Sequence, residues 1–391
     1  MSEKDIPNQD PSQESIDVFR DSILESFSEV KDPRVLISYV RHDLGNILFI
    51  TVCAVLCGAN NLKEITTYAK SRKKWLGSVL DLTHGVPSYS TFWWVFVMLD
   101  PTEFHQGFSK WITFLMKSID DEVYAIDGKA LRGTAIKGKP NSFVNMVSVW
   151  ACSQQLTLGQ VKVDGKSNEI TAIPKLLEII DIAGATITID AMGAQTKIAR
   201  QIIDDGGHYV IALKGNQSNF HDEVSNFFEQ AEEINFEGLE HQAYHMIEKG
   251  HGRSEKRSFY VTEGIDWLPQ RDEWAGLKSI ILLVSECTAD GKISTERRLY
   301  FSSRDADARQ IAHAIRSHWG IESCHWTLDV AFNEDSLKAR AGHLVENLSL
   351  IRKMGMALLK QDTTTDGGVE LRRKQAGWEP DYLLHPRGIK C

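Results

Sequence analysis

The chain has 391 residues, 42% of them hydrophobic, with 44 basic and 53 acidic side chains and a formal charge of -9. That length allows two or three domains around a sizeable core. Its longest apolar run, 47–59, is shorter than the roughly 20 residues of a membrane helix, which excludes a membrane span. The start is polar and acidic, without the apolar stretch of a secretory signal, so a cytoplasmic protein is expected. The six cysteines (53, 57, 152, 287, 324, 391) form no C-x-x-C pair, which points to reduced thiols and no structural zinc.

Residues 1–30 read as an acidic, weakly ordered tail whose removal should leave fold and activity intact. Eight acids against Lys4, Arg20 and Lys31 place five of the nine excess negatives in residues 1–31. The remainder is nearly balanced and has local basic clusters at 70–74, 129–139, 249–257, 338–353 and 372–374. A nucleic-acid partner is therefore compatible with the overall sign.

Residues 31–120 form an N-terminal helical domain. One or two helices over 62–82, a turn at THGVPS and a helix capped by Ser88 or Ser90 and running to Leu99 have the layout of a helix-turn-helix. Two ordinary packed helices fit the same pattern. From Glu122 the pattern changes to strands at 122–127, 143–152 and 156–164, a helix at 168–181, and strands at 186–190 and 208–214. This alternation implies an α/β mixed sheet with helices on both faces, spanning 121–361. A largely β insertion interrupts it at 215–300, with a helix at 219–232 and strands at 243–249, 256–262 and 278–286. Helices follow from 305 past Glu322 and over 346–360, and 362–391 reads as a C-terminal tail.

Asp127 ends EVYAID and Asp190 ends TITID, the strand edge where catalytic groups gather in α/β sheets. Either alone also suits a turn cap. Ile311, Ile315, Trp319, Glu322 and Trp326 recur at helical spacing, which places Glu322 on a core-facing stripe, needing a metal or a salt bridge to Arg316 or Lys338. Three carboxylates make an all-oxygen site for Mg2+ or Mn2+, with two ions about 4 Å apart suited to phosphoryl transfer. His318, Glu322 and His325 lack a zinc-protease pattern. GTAIKGKP puts Pro140 where a phosphate-binding loop needs a hydroxyl.

HDLGNILFITVCAVLCGAN (42–60), AIDGKALRG (125–133), KSNEITAIPKLL (166–177), TIDAMGAQ (188–195), ALKGNQ (212–217), HGRSEKR (251–257), IRSHWGIES (315–323) and HWTLDVAFNED (325–335) together span nearly the whole chain. In this order they resemble the H-repeat-associated and ISAs-type insertion-sequence transposases, a branch of the DDE transposases. The resemblance implies a ribonuclease-H-like catalytic domain with Asp127, Asp190 and Glu322 as its acidic trio, holding two Mg2+ or Mn2+ ions. It also implies double-stranded DNA partners, the element's terminal inverted repeats and a target, engaged by a dimer or higher oligomer. Lys129, Arg132, Lys214, Asn216, Gln217, His251, Arg253, Arg257 and His318 are then expected to face DNA. PSYSTFWWVF (87–96) departs from these relatives, with Tyr-Ser and two Trp where they more often have His-Asp and Arg.

Overall fold

The computed structural model describes residues 13–34, 40–117, 119, 121–139, 142–163, 168–250, 252–362, 365–379 and 382. Helices α1 (Gln13–Ser26), α2 (Leu44–Leu56), α3 (Leu62–Ser71), α4 (Lys73–Val79), α5 (Tyr89–Met98) and α6 (Pro101–Leu115) precede the sheet. Their starts follow local chemistry: Asp43, Asn61, Ser88 and Asp100 each accept backbone N–H groups of the first turn of α2, α3, α5 and α6. α2 is apolar around its whole circumference and is correspondingly buried on nearly every side.

Strands β1 (Val123–Leu131), β2 (Val144–Ala151), β3 (Leu156–Lys162), β4 (Thr186–Ile189) and β5 (His208–Leu213) build the first half of the sheet. β6 (Gln242–Gly250), β7 (Arg253–Thr262), β8 (Ser279–Ala289) and β9 (Lys292–Ser302) build the second. Among the described residues the order is β3-β2-β1-β4-β5-β9-β8-β7-β6. β1 runs antiparallel to β2 and parallel to β4, and β4 parallel to β5, the ribonuclease-H-like arrangement. The insertion continues this sheet, because β9 pairs antiparallel with β5 and β8 with β9.

Helices α7 (Glu169–Leu177), α8 (Thr196–Asp204), α9 (Ser218–Glu233), α10 (Ala308–Phe332), α11 (Leu344–Gln361) and α12 (Val369–Trp378) complete the fold. Val123 packs with Ile311 and Ile315 of α10, whereas Gly128 faces Glu169 of α7. Successive strand residues point to opposite faces, so α10 and α7 cover opposite faces of β1. α11 is almost wholly buried and joins the N-terminal helices and the sheet into one continuous apolar cluster. Among the described residues no helix is long and apolar enough to cross a membrane.

Both terminal segments depart from expectation. Within 1–30, α1 buries Ile16, Phe19 and Ile23 on one stripe, and Phe27 and Val30 follow, so residues 16–30 pack against the core rather than forming a loose tail. The Phe19 ring lies 5.4 Å from Phe49 and the Phe27 ring 5.2 Å from Phe104. Phe19→Ala is therefore expected to lower stability by about 3–5 kcal/mol in urea unfolding; a loss below about 1 kcal/mol would restore the tail reading. Within 362–391, Arg373 of α12 is buried and donates to the carbonyls of Val55 (2.8 Å) and Ala59 (2.8 Å) and to that of Ala331. This anchors α12 across the end of α2.

Candidate active site

The β1–β4 register sets the site. Ala125 pairs with Thr188, so the next residues on the same face are Asp127 and, just past the end of β4, Asp190. α10 crosses that face and is fastened at two points. His318 Nδ1 shares a 2.9 Å hydrogen bond with the Thr188 hydroxyl, and His325 Nδ1 lies 3.5 Å from Asp127 Oδ2. Glu322 falls between these histidines at helical spacing. Burial depresses both imidazoles, His325 to about 3, so they are neutral positioning groups.

Asp190 also caps its own turn: one carboxylate oxygen accepts from the N–H groups of Met192 (3.0 Å) and Gly193 (3.3 Å). The capping role that suits such an aspartate is thus realised, and its second oxygen remains available. Asn216 Nδ2 donates to Ala191 O (2.6 Å) and Gln217 Nε2 to Ala194 O (2.8 Å), clamping the same turn.

A fourth carboxylate, Glu169, joins the group. A Cβ on Gly128 would lie 2.1 Å from Glu169 Oε1, so only glycine lets this side chain approach β1 beside Asp127. Sequence reasoning passed over Glu169 because an acid in the first turn of a helix is ordinary. The usable signal was the glycine directly after Asp127. Asp127 is pushed up to about 7, first by burial and then by repulsion from Asp190, Glu169 and Glu322, against a backbone N–H from Gly128. Burial and then Asp190 also raise Glu169.

Among the described residues, Glu169 and Glu322 have no ion-pair partner and Asp127 has only the neutral His325. Among the described residues, no three His, Cys, Asp or Glu side chains stand close enough to ligate one ion. An all-oxygen donor set with uncompensated charge fits a hard divalent cation. The raised Asp127 has a consequence for stability. The metal-free folded state holds a proton that the unfolded chain releases near pH 3.8, so stability falls as pH rises from about 4 to about 7 and stays lower above it. In EDTA at pH 8, Asp127→Asn should be more stable than wild type by a few kcal/mol in urea unfolding, on the order of what such a shift carries. At pH 4 the two should match. Equal stability at pH 8 would contradict the crowding.

Several expected placements change. Glu322 is exposed, not core-facing, and Trp326 is 66% exposed, because α10 buries Ile321, Cys324 and Leu328 instead. Arg316 pairs with Glu248, not Glu322. Lys129 is buried; its Nζ lies 2.6 Å from Asp329 Oδ1 and 2.8 Å from Glu334 Oε2, so it is not free to meet a phosphate. Arg257 is likewise buried, paired with Glu248 and Glu255. His318 sits on the face of α10 turned to β4, bonded to the Thr188 hydroxyl. Arg132, Lys214, Asn216 and Arg253 are exposed, while His251 lies outside the described residues.

A cleft of about 440 Å³ opens beside Asp190 and Glu322, lined also by Lys214, Arg298, Tyr300 and Trp319. Arg316, Arg257 and Arg298 stack around the Trp319 ring at 4.4, 5.0 and 5.9 Å from its centroid. Arg316 of α10 and Arg257 and Arg298 of the β insertion thus gather next to the carboxylates, each ion-paired with a glutamate, Glu248 or Glu296.

Residues 118–358 match the family model described as a transposase DDE domain, and residues 24–112 match its associated N-terminal model. Two similar proteins are named as transposases. YncI of Escherichia coli O157:H7 is 39% identical over 93% of this chain and 93% of its own, and the H-repeat-associated YhhI of E. coli K12 is 37% identical over 88% and 92%. A piggyBac transposase synaptic complex with hairpin DNA aligns at 10% identity with a TM-score of 0.42, covering 94% of this chain and 77% of that one.

Proposed function

Because the chain belongs to the DDE transposase family, we propose that it cleaves DNA at the ends of a mobile element and joins the freed ends to target DNA, using Asp127, Asp190 and Glu322. The observation that supports this most directly is the β1–β4 register, which sets Asp127 and Asp190 on one face beneath the helix that carries Glu322. Two Mg2+ or Mn2+ ions held by these carboxylates, with Glu169 beside them, would activate the attacking oxygen and stabilise the leaving one.

The rest is work for the protein's own groups. Burial and the neighbouring carboxylates raise Asp127 to about 7, so its carboxylate would release its proton on taking up a cation near neutral pH. His318 and His325 hold α10 against β4 and β1, and the Asn216 and Gln217 amides hold the Asp190 turn. Lys214 and Arg253 meet the phosphates of the duplex, with Arg132 just past the end of β1. The partners are the element's terminal inverted repeats and a target duplex in the cytoplasm, engaged by a dimer or higher oligomer.

The test uses a plasmid carrying the coding region with its natural flanks, incubated with the protein in Mg2+, in Mn2+ and in EDTA. Strand breaks should map to the element's two boundaries, appear only with metal and be followed by joined products. Metal-independent breaks, or breaks scattered without regard to the boundaries, would overturn the proposal.

A further inference from the structure

A groove of about 750 Å³, separate from the carboxylate cleft, lies between the N-terminal helices and the segment linking α10 to α11. Its floor is apolar, with Leu62, Leu337, Leu344 and Leu348 all buried beneath it. Its rim is cationic: Lys63, Lys338 and Arg340 are exposed, and none has an ion pair among the described residues. The lining has one acid, Glu64, which is exposed on the same rim and accepts from the Asn60 N–H (2.6 Å) and the Asn61 amide (2.5 Å), so three cations there face one carboxylate.

Aromatic faces stand on the same wall. Tyr89, at the start of α5, is 43% exposed and lines the groove together with Trp93. Trp93 meets Trp94 edge-on at 4.7 Å, and Trp94 is itself 49% exposed. Burying these rings against the core would have been the ordinary outcome for an apolar helix such as α5. Flat aromatic faces above unpaired cations match a strand of nucleic acid whose bases are unpaired, since base faces become available for stacking only outside the duplex.

The groove is tied to the active site through the backbone. Lys338 and Arg340 follow the short turn Glu334–Ser336, in which Glu334 pairs with Lys129 of β1 and Asp335 accepts the backbone N–H of Arg132. Both partners lie on the stretch of chain that leads on from Asp127.

We propose that the groove between α3, α5 and the Lys338–Arg340 segment binds an unpaired stretch of the DNA substrate, stacking bases on Tyr89 and Trp93 and holding phosphates on Lys63, Lys338 and Arg340. The inference rests on the DNA-cleavage reading above and adds a second contact region to it.

The probe is a short single-stranded oligonucleotide carrying iodouracil, with the fully paired duplex of the same sequence for comparison. Irradiation of the full-length protein should crosslink the single strand to Tyr89 or Trp93, located by mass spectrometry, and crosslink the duplex there far less. Replacing Lys63, Lys338 and Arg340 together by Glu should weaken single-strand binding by at least about tenfold and flatten its salt dependence by about two phosphate contacts. Tyr89→Ala, a change at an exposed position, should lose the crosslink and weaken binding about tenfold.

Unchanged affinity and salt slope in the triple variant, crosslinks confined to Trp319 in the other cleft, or a change in the protein's self-association in place of strand binding would each overturn the proposal. The last result would assign the groove to a second copy of the chain. Asp127→Asn separates this proposal from the function it rests on. Crosslinking at Tyr89 retained in that variant, with cleavage active in wild type, supports both. Crosslinking by a wild-type protein that never cleaves DNA leaves the groove standing and removes the transposase reading.

Discussion

Asp127→Asn, Asp190→Asn and Glu322→Gln are each expected to lower Mg2+-dependent cleavage of element-end DNA by about 10³-fold or more, roughly 4 kcal/mol of transition-state stabilisation. Each change keeps the shape of the side chain and removes one anionic donor. The loss should therefore fall on metal binding and chemistry, with the fold and DNA affinity intact. Glu169→Gln should give a smaller loss, about 10–100-fold, because Glu169 reaches the group from the α7 side of β1 and acts on the charge of Asp127. Gly128→Ala should reproduce that loss, since a methyl group there would occupy the position of the Glu169 carboxylate. Cleavage assays should be read beside gel-shift binding and melting curves. Full cleavage by any of the three trio variants would remove that residue from the site, and a variant that loses cleavage only by unfolding would identify a structural role.

The second large effect concerns stability. Glu334 is 1% exposed and sits between Lys129 (2.8 Å) and the Ser349 hydroxyl (2.8 Å). Nearby, Lys353 is buried on Ser148 (2.8 Å) and Gln160 (2.5 Å). Burial alone would push Glu334 upward, but Lys129, then Lys353 and Arg352, hold it down to about 2. Lys129→Met or Glu334→Leu leaves the opposite charge buried without its partner and should cost about 3–5 kcal/mol in urea unfolding. The sign with pH follows from the lowered carboxylate. The stabilisation from Glu334 is complete above its unfolded value near 4.5 and is lost as pH falls towards 2. If Lys129 instead contacted DNA, Lys129→Met would leave stability unchanged and reduce the salt slope of binding by about one, and that pair of results would contradict the placement.

This contrast shows what was legible in the sequence. Strands β1 to β5 were readable because short apolar runs alternate with turns, and Asp190 does follow the end of TITI, whereas Asp127 lies mid-strand because β1 continues through GKAL to Leu131. β9 was missed because its first half, KISTERR, is exposed and charged, and only Leu299, Phe301 and Ser302 are buried. α1 carried its stripe of Ile16, Phe19 and Ile23 openly, but the surrounding acids drew the reading towards a tail.

The stripe drawn through Glu322 went wrong because periodicity locates a helix face without saying whether that face meets core or cleft. Lys129 and Arg257 were read as surface cations because such side chains are seldom fully buried. Their carboxylate partners lie far away in sequence or across a hairpin and could not be paired from spacing alone. Glu169 was hidden for a related reason: its partner in the site is a glycine, which shows no chemistry of its own.

In the proposed reaction, divalent ions held by Asp127, Asp190 and Glu322 would touch the scissile phosphate. A phosphorothioate substitution tests it directly, with one non-bridging oxygen at the cleaved phosphate of an element-end duplex replaced by sulfur, each stereoisomer assayed separately. Sulfur binds Mg2+ poorly and softer ions well. The account predicts that one isomer is cut slowly in Mg2+ and regains its rate in Mn2+ or Cd2+, while the all-oxygen duplex shows no such preference. Equal cleavage of both isomers in Mg2+, or cleavage that persists in EDTA, would contradict it.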